Sequence, residues 1–432
     1  MNKFEKLVYD LVRDNPRLKK RIRNLYQDIF DFLPSQKKQS SYEIISRDGF
    51  FFGFHDHTPF SYDNTKLLAN RPKFDLKIPS TSDELDIGYF DGEDFKDFHK
   101  VGSTSTWTWH LGCKLQWKGN SNNIIFNDHI DGNNISRQIN LDSGNEKIYP
   151  GSIGSVSPDG SYGVGYSFAR VQDCMPGYGY IHAVDEDDLE DLTPYNSGIY
   201  KIDFNSGNKK HLISIGELAE IKPTKSMKNA KHFFTHTQVS PDSSRFMFLH
   251  RWINPYGNID RRFSRLVVCD LNGNIQDIFR TSEMVSHITW QDSNHVVAYC
   301  RLPEFDNQYG LFKVGDEEST QVLGIGQFGG DGHPSFDSTK RWMVTDTYPN
   351  RRRVQDLILY DINKKKKFTI AKLPMPKKYQ SPSSKLHWTC DLHPRWDRNS
   401  QFLCFDSTFN GKRSLCTIDL GFDIKNNSVK GL

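Results

Sequence analysis

The chain has 432 residues, of which 36% are hydrophobic and 13% aromatic, and its formal net charge is +3. The nearly balanced charge argues against a nucleic-acid-binding protein, and no apolar run reaches the roughly 18–20 residues that span a bilayer. Charges interrupt every apolar stretch of residues 1–33, unlike in a secretory signal. The seven Cys are odd in number and scattered, so we expect reduced core thiols and a cytoplasmic location.

Residues 1–35 are predicted to form a basic, amphipathic helical extension. Apolar residues recur there at helical spacing: Phe4, Leu7, Val8, Leu11, Val12, Leu18, Ile22, Leu25, Ile29 and Phe30. Pro16 predicts a break, with Asn15 capping a second helix. That helix carries the basic residues Arg17, Lys19, Lys20, Arg21 and Arg23. It either docks peripherally on an anionic membrane surface or a partner, or packs on the rest of the protein with its charges in solvent.

A short phrase recurs seven times in the remainder of the chain. Its clearest copy, 236–242, contains a Ser-Pro-Asp turn and is followed by the apolar run 246–249. The aligned copies begin at His57, Lys114, Ile153, His236, His287, His333 and His393. Starts about 40 to 80 residues apart, each followed by a β-rich run, are typical of four-stranded propeller blades. We therefore predict an all-β fold: a seven-bladed β-propeller over residues 42–422, with an N-terminal α-helical extension.

Two segments are expected to close this ring. The strand-like segment 42–46 precedes the first copy, and 414–418 follows the last. Their pairing within one blade would remove exposed sheet edges. Residues 36–41 are predicted to be a polar linker.

The longest insertion, 170–196, follows the third copy. A loop of this length in a compact repeat is usually a lid or a binding loop. Gly177 and Gly179 allow unusual backbone angles around Tyr178 and Tyr180. We expect the acidic run 185–191 to be solvated.

Histidines occupy the same register in five of the seven copies. Since the first strand of each blade lines the central channel, His57, His236, His287, His333 and His393 should converge there, with Lys114 and Ile153 completing the ring. The ring is either a structural plug of hydrogen-bonded imidazoles or a site for a divalent metal, because neutral imidazole is a good ligand for transition metals. Further ligand types lie nearby in Gln238, His387, Cys390 and Asp391.

Polar side chains also follow the second strands. They are Arg71, Asp128, His129, Arg170, His250, Arg251, Arg301, Asp346, Tyr348 and Asp406. If the turns return the chain to the same face, these residues flank the ring. Arginine pairs bidentately with carboxylates, and aromatic rings stack on pyranoses, so the composition favours a carboxylated sugar as ligand.

The segments 331–336, 286–290 and 391–396 resemble the blade motifs of oligogalacturonate lyases. The resemblance implies a seven-bladed propeller, a metal held by His and Gln on the axis, and β-elimination of a uronate. It matches His333 and His393 to metal ligands and His287 to the catalytic base. Asp391 stands where that family has a second histidine near its last ligand.

The front half is also similar to propeller ulvan lyases. His110 and His129 have a spacing like their catalytic pair, and Arg170 with 176–180 looks like their substrate wall. The two resemblances nominate different catalytic residues. We favour His287, because it stands in the inferred axial ring.

These observations predict a lyase that cleaves a uronate-containing oligo- or polysaccharide. The candidate catalytic residues are His287, Arg170, Arg251, His110, His129 and Tyr178. The candidate substrate-binding residues are His57, Lys114, Tyr180, Arg301 and Tyr348. The candidate ligands of a divalent metal (Mn, Zn or similar) are His236, His333, His393 and Asp391. The alternatives are a non-catalytic glycan-binding propeller in surface-polysaccharide (capsule) assembly and a protein-interaction scaffold.

Overall fold

The computed structural model describes residues 15–181, 189–381 and 387–432. In chain order the strands are β1 (Gln39–Ser40), β2 (Ile45–Asp48), β3 (Leu67–Pro72), β4 (Leu85–Asp91), β5 (Asp97–Thr104), β6 (Gln116–Trp117), β7 (Asn123–Ile130), β8 (Asn133–Asn140), β9 (Glu146–Pro150), β10 (Ser155–Val156), β11 (Tyr162–Gly165), β12 (Gly198–Asp203), β13 (Lys209–Ser214), β14 (Lys231–Val239), β15 (Arg245–Ile253), β16 (Arg262–Asp270), β17 (Ile275–Ile278), β18 (Val285–Trp290), β19 (His295–Leu302), β20 (Asp306–Lys313), β21 (Asp316–Leu323), β22 (Ser335–Phe336), β23 (Trp342–Asp346), β24 (Val354–Asp361), β25 (Lys366–Pro374), β26 (Arg395–Trp396), β27 (Phe402–Ser407) and β28 (Ser414–Asp419). The α-helices are α1 (Pro16–Phe30), α2 (Phe168–Cys174), α3 (Ile215–Glu220) and α4 (Gly421–Asn426), and short 3-10 turns span Glu93–Phe95, Lys225–Met227 and Lys377–Tyr379.

The strands form seven antiparallel sheets, which are the blades of a propeller. Blade 1 is β3–β5, blade 2 β6–β9, blade 3 β10–β13, blade 4 β14–β17, blade 5 β18–β21, blade 6 β22–β25 with β1, and blade 7 β26–β28 with β2. The first strands of neighbouring blades contact one another, as in β10 with β14, β14 with β18, and β18 with β22. The predicted seven-bladed β-propeller is confirmed.

Each blade is apolar on both faces because it packs between two others. On β15, Phe246 and Phe248 join the core shared with blade 3. Met247 and Leu249, between them in sequence, join the core shared with blade 5. Alternate side chains of a strand point to opposite faces, which is why the central strand of a blade reads as a continuous apolar run.

Strands from both ends of the chain complete the ring. β2 pairs with β28, with Ile45 opposite Thr417 and Asp48 opposite Ser414. The expected polar linker is in part a strand, since β1 pairs with β25 at Gln39 and Ser40. The open edge of β25 offers backbone groups that a passing extended segment can satisfy, whatever the polarity of its side chains.

Helix α1 begins at the predicted cap, where the side chain of Asn15 accepts from the amide of Leu18. It is attached to one face of the propeller at two places. Arg17 Nε donates to Asp260 of blade 4 at 2.7 Å, and Gln27 Nε2 donates to the carbonyl of Asn350 in blade 6 at 2.8 Å. The helix therefore spans from the β15–β16 loop to the β23–β24 loop.

The apolar face of α1 points to solvent, and its polar face points to the propeller. Its polar residues Arg17 and Gln27 contact the propeller, whereas Leu25 and Ile29 are 65% and 57% exposed. Of the two interpretations, packing on the propeller is observed for this helix; association with a membrane through its outer face stays a prediction. Within the described ranges, no helix combines the length and apolar character that a bilayer crossing requires. The helix expected before Pro16 lies outside the described residues.

Arg353 should fix the C-terminal half of α1, because its buried guanidinium donates to Asp28 and Asp31 at 3.0 Å each. We predict that Arg353→Ala speeds tryptic cleavage within residues 15–35 several-fold, while the melting temperature of the propeller falls by no more than about 3 °C. Lys378→Ala is the matched control, since Lys378 is exposed and lies over Tyr379 rather than α1. Equal cleavage of the two variants would contradict this anchoring.

Candidate functional site

Four of the five predicted ring histidines meet at the propeller axis around Phe54. The ring centroid of Phe54 lies 4.8 Å from that of His236, 5.0 Å from His393, 6.0 Å from His287 and 6.2 Å from His333. The imidazoles also contact one another, with centroids 4.1 Å apart for His287 and His333 and 4.3 Å apart for His333 and His393. The first strands, or the residues that lead directly into them, thus bring imidazoles from four blades into one cluster.

Irregular backbone aims these side chains at the axis. The register of β14 against β15 shifts between Thr235 and Gln238, so His236 stands in a β-bulge. A shift between Val285 and Ile288 does the same for His287. Bulges re-aim side chains and are frequent beside active sites. His236 and His393 also have positive φ angles of 59° and 45°, a conformation that costs non-glycine residues energy.

The fifth ring histidine, His57, has a structural partner instead. Its Nδ1 lies 2.7 Å from Asp56, and Asp56 also binds the buried Lys114. Burial raises the pKa of Asp56, but Lys114 and His57 outweigh it and hold this pKa far below its usual value. The structure therefore places His57 and Lys114, predicted to bind substrate, in a buried ion cluster. His55 takes the axial place, with its ring 5.3 Å from His333.

A tight turn adds His110 to the cluster. Thr108 and Gly112 exchange backbone hydrogen bonds, so His110 stands at the tip. Gly112 has a φ of +59°, and a Cβ there would meet Asn70 and a backbone carbonyl below 3.0 Å. Only glycine fits this turn.

His110, Asp391 and His393 form a site suited to a metal ion. One ligand atom from each lies within 4.8 Å of the others. His110 Nε2 and Asp391 Oδ1 are buried without a hydrogen-bond partner, a costly state that a bound cation relieves. Burial lowers the pKa of both imidazoles well below its usual value, so they are neutral and able to ligate. The residues present fit a divalent ion.

Of the other two predicted metal ligands, His333 packs against His393 of the triad with ring centroids 4.3 Å apart, and His236 packs against Phe54. His333 Nδ1 lies 2.8 Å from Asp346, a carboxylate–histidine pair of the kind that orients metal-bound imidazoles. Asp346 also accepts from the amide of His393 at 3.1 Å, and burial raises its pKa to about 7. His236 Nδ1 is buried without a partner. The triad therefore contains His110, predicted as catalytic, together with Asp391 and His393.

His287 forms a second carboxylate–histidine pair at the accessible side of the cluster. Its Nδ1 lies 3.0 Å from Asp331 Oδ1 and 3.2 Å from Ser286 Oγ. Donation from Nδ1–H to the carboxylate leaves Nε2 as the proton acceptor. Burial alone would raise the pKa of Asp331, but the charge and hydrogen bond of His287 lower it. Asp331 is a site residue that sequence reasoning missed, although it stands two residues before His333.

Two arginines line the same side. Arg251 Nε donates to Thr235 Oγ1 at 3.1 Å, and burial, followed by the charge of Arg262, lowers its pKa to about 10. Within the described residues, neither Arg251 nor Arg262 has an ion pair with a carboxylate. Two close guanidiniums without a counterion favour an anionic ligand. Arg262 is also new relative to the sequence prediction; it begins the third strand of its blade.

Two tyrosines complete the wall of the site, which is the accessible side of the cluster lined by Arg251 and Arg262. Tyr178 stacks on His110 with centroids 4.6 Å apart and an interplanar angle of 12°. Tyr348 is 37% exposed, and its ring lies 5.6 Å from that of His333. Burial raises the pKa of both phenols, so each keeps its proton at neutral pH. His387 packs edge-on against His110 at 5.4 Å.

Four predicted site residues have their described contacts elsewhere. Arg170 Nε donates to the carbonyl of His232 at 2.6 Å and so ties the insertion to blade 4. The hydroxyl of Tyr180 accepts from Asn127 at 3.0 Å. The remaining two, His129 and Arg301, bond Thr106 and Asn307 respectively. These four side chains therefore have structural partners outside the axial cluster.

The chain matches no protein-family model and no curated protein. Solved structures do match it. An oligogalacturonate lyase in complex with manganese has a TM-score of 0.58 and 13% identity, with 90% of this chain and 98% of that chain covered. An oligogalacturonate lyase from Vibrio parahaemolyticus has a TM-score of 0.54 and 12% identity, with 90% and 99% covered. At identities of 12% and 13%, the likeness shows that the fold is shared and nothing more.

The metal-site geometry predicts that the purified protein, equilibrated with Mn²⁺ or Zn²⁺ and desalted, retains a divalent ion. His110→Ala or Asp391→Asn should reduce the metal content to background, because each removes one of three ligands. His99→Ala is the control, since His99 is exposed and pairs with Asp91 away from the axis. Metal content measured by mass spectrometry decides: full retention by His110→Ala contradicts the assignment.

The buried histidines predict lower stability in mild acid. Burial lowers the pKa of these imidazoles far below the unfolded value of about 6.5: His55, His110, His236, His333 and His393. Their contribution to the free energy of unfolding is fully present above pH 6.5 and is lost progressively as the pH falls from that value towards the lowered pKa of the folded state. Asp346 and Asp391 have pKa values raised to about 7, so they stabilise the folded protein as the pH falls. These two carboxyls are outnumbered by the five histidines. In a chelating buffer, the melting temperature should fall from pH 7.5 to 5.5; an unchanged or higher value would contradict neutral, buried imidazoles in the folded protein.

Proposed function

We propose that the protein is a lyase that cleaves a uronate-containing glycan by β-elimination. The observation that carries the proposal is the juxtaposition of three components in one cluster. These are the His287–Asp331 pair, the His110–Asp391–His393 triad, and Arg251 and Arg262, which have no carboxylate partner among the described residues. Each component answers one requirement of the reaction.

The first requirement is to neutralise the uronate carboxylate, which makes the proton on the adjacent C5 removable. Arg251 and Arg262 provide guanidiniums that lack a carboxylate partner among the described residues, and a bidentate pair with the substrate would satisfy this need. A divalent ion bound by the triad would supply further positive charge to the carboxylate and to the enolate-like charge that develops beside it.

The second requirement is a base. His287 Nε2 takes the C5 proton, and Asp331 orients the ring through Nδ1 and stabilises the imidazolium that forms. The ring of His287 lies against that of His333 at 4.1 Å, so the base is adjacent to the metal-ligand cluster. The C5–H bond breaks and its electron pair forms the C4–C5 double bond.

The third requirement is departure of the oxygen on C4. As the C4–O bond breaks, that oxygen needs a proton, and Tyr178 and Tyr348 both present protonated phenols at the site. Tyr178 stacks on His110 of the triad, which makes it our choice for the proton donor. Tyr348, more exposed, is suited to stacking on the sugar ring.

A lyase of this kind releases an unsaturated product, detected by the ultraviolet absorbance of its C4–C5 double bond, when a panel of uronate oligomers is supplied with Mn²⁺. His287→Ala should lower kcat by about 10²–10⁴-fold, the usual contribution of a general base. His295→Ala is a matched control, because His295 forms a similar pair with Asp292 at the blade surface and should retain the wild-type rate.

An equal rate for His287→Ala and wild type would contradict the assignment of the base. Binding of uronate oligomers without any product would instead favour the non-catalytic glycan-binding propeller.

A further inference from the structure

Helix α1 lies on the same face of the propeller as the proposed site. Its two attachment points, Asp260 and Asn350, are in the second-to-third-strand loops of blades 4 and 6. Arg262 and Tyr348, both in the wall of the site, stand two residues from those attachment points in the same loops or at their ends. The middle of α1 therefore passes beside the open side of the cluster.

The orientation of α1 is unusual for a helix that only packs. A surface helix normally buries its apolar stripe, yet α1 exposes Leu25 and Ile29 and turns Gln27, which is 3% exposed, to the propeller. Side chains three and four residues apart share a helix face, so Arg23 and Asn24 lie on the same side of α1 as Gln27. The Oδ1 atom of Asn24 is buried without a hydrogen-bond partner. A polar inner face with an unsatisfied atom indicates a polar ligand rather than a packing surface.

Arg23 is an exposed cation on the same side of α1 as Gln27, without a counterion contact among the described residues. It has no hydrogen bond or ion pair with any described residue. Desolvation by the neighbouring protein lowers the pKa of its guanidinium, while Asp391 and Tyr348 act in the opposite direction. Tyr348 also affects the pKa of Arg251 and of Arg262, so one phenol at the accessible side of the cluster acts electrostatically on all three guanidiniums.

We propose that α1 forms one wall of the ligand site and that Arg23 binds a carboxylate of the bound acidic glycan, alongside Arg251 and Arg262. This rests on the proposed function in that it takes the ligand to be a uronate oligomer. Arg23 is thereby a substrate-binding residue contributed from outside the propeller. Its position on the helix, at the solvent side of the site, makes its contribution one to binding rather than to proton transfer.

The test is calorimetric titration with the same panel of uronate oligomers, trigalacturonate among them, at low ionic strength, using a His287→Ala background so that the ligand is not consumed. Arg23→Gln should raise Kd about tenfold or more, since a charge-assisted pair typically contributes this much. Arg23→Lys should recover part of the affinity. Arg21→Gln is the control, because Arg21 is an exposed cation two positions away and so on the other side of α1. Its Kd should stay within about twofold of the background value. Melting temperatures of all variants check that α1 and the propeller remain folded.

The outcomes separate this inference from the proposed function. A Kd for Arg23→Gln equal to that of Arg21→Gln, with tight binding in the background protein, overturns the role of Arg23 and leaves the lyase proposal standing. A raised Kd for Arg23→Gln, together with a wild-type protein that makes no unsaturated product from the panel, supports Arg23 and overturns the lyase. Absence of binding of every uronate oligomer of the panel to the background protein overturns both.

Discussion

Packing of imidazoles against one another at the propeller axis is the constraint on which the rest of the site depends. Around Phe54, rings from four blades approach within 6.2 Å of its centroid, and His333 and His393 are only 2% and 3% exposed. Burial keeps these rings neutral. It also leaves polar atoms of His110 and Asp391 without partners, which costs free energy unless a ligand satisfies them.

The cluster is graded from a buried interior to an accessible side. The triad of His110, Asp391 and His393 is buried, whereas Asp331 and Tyr348 keep contact with solvent. This gradient separates a site for a small cation from a site for a larger anionic ligand. The two solved oligogalacturonate lyases have a similar fold, but fold similarity does not decide chemistry; the case for β-elimination rests on the residues of this chain.

The repeat, and with it the fold, could be predicted because it depends on local patterns that every blade repeats. The cap at Asn15 was equally local. The site was harder, because register and tertiary placement decide it. His57 occupies the aligned slot, yet the buried Lys114 requires Asp56 and draws His57 with it, so that His55 reaches the axis. His110 comes from a turn between blades, which no blade alignment includes.

The placement of α1 could not be predicted for a related reason. Amphipathicity indicates that one face of a helix is buried and normally points to the apolar face. In this protein the contacts with the propeller are made by Arg17 and the buried Gln27, because the facing surface of the propeller offers carboxylates and backbone carbonyls. Sequence periodicity identifies the helix, while the polarity of the surface beneath it decides which face is turned inward.

A crystal structure of the His287→Ala protein with Mn²⁺ and a uronate trimer would locate the cation and the acidic ligand in a single experiment. We expect an anomalous peak bounded by His110, Asp391 and His393, and a sugar carboxylate within hydrogen-bonding distance of Arg251 or Arg262. A manganese ion bound elsewhere with the triad empty, or a trimer bound away from the axis, would contradict this arrangement.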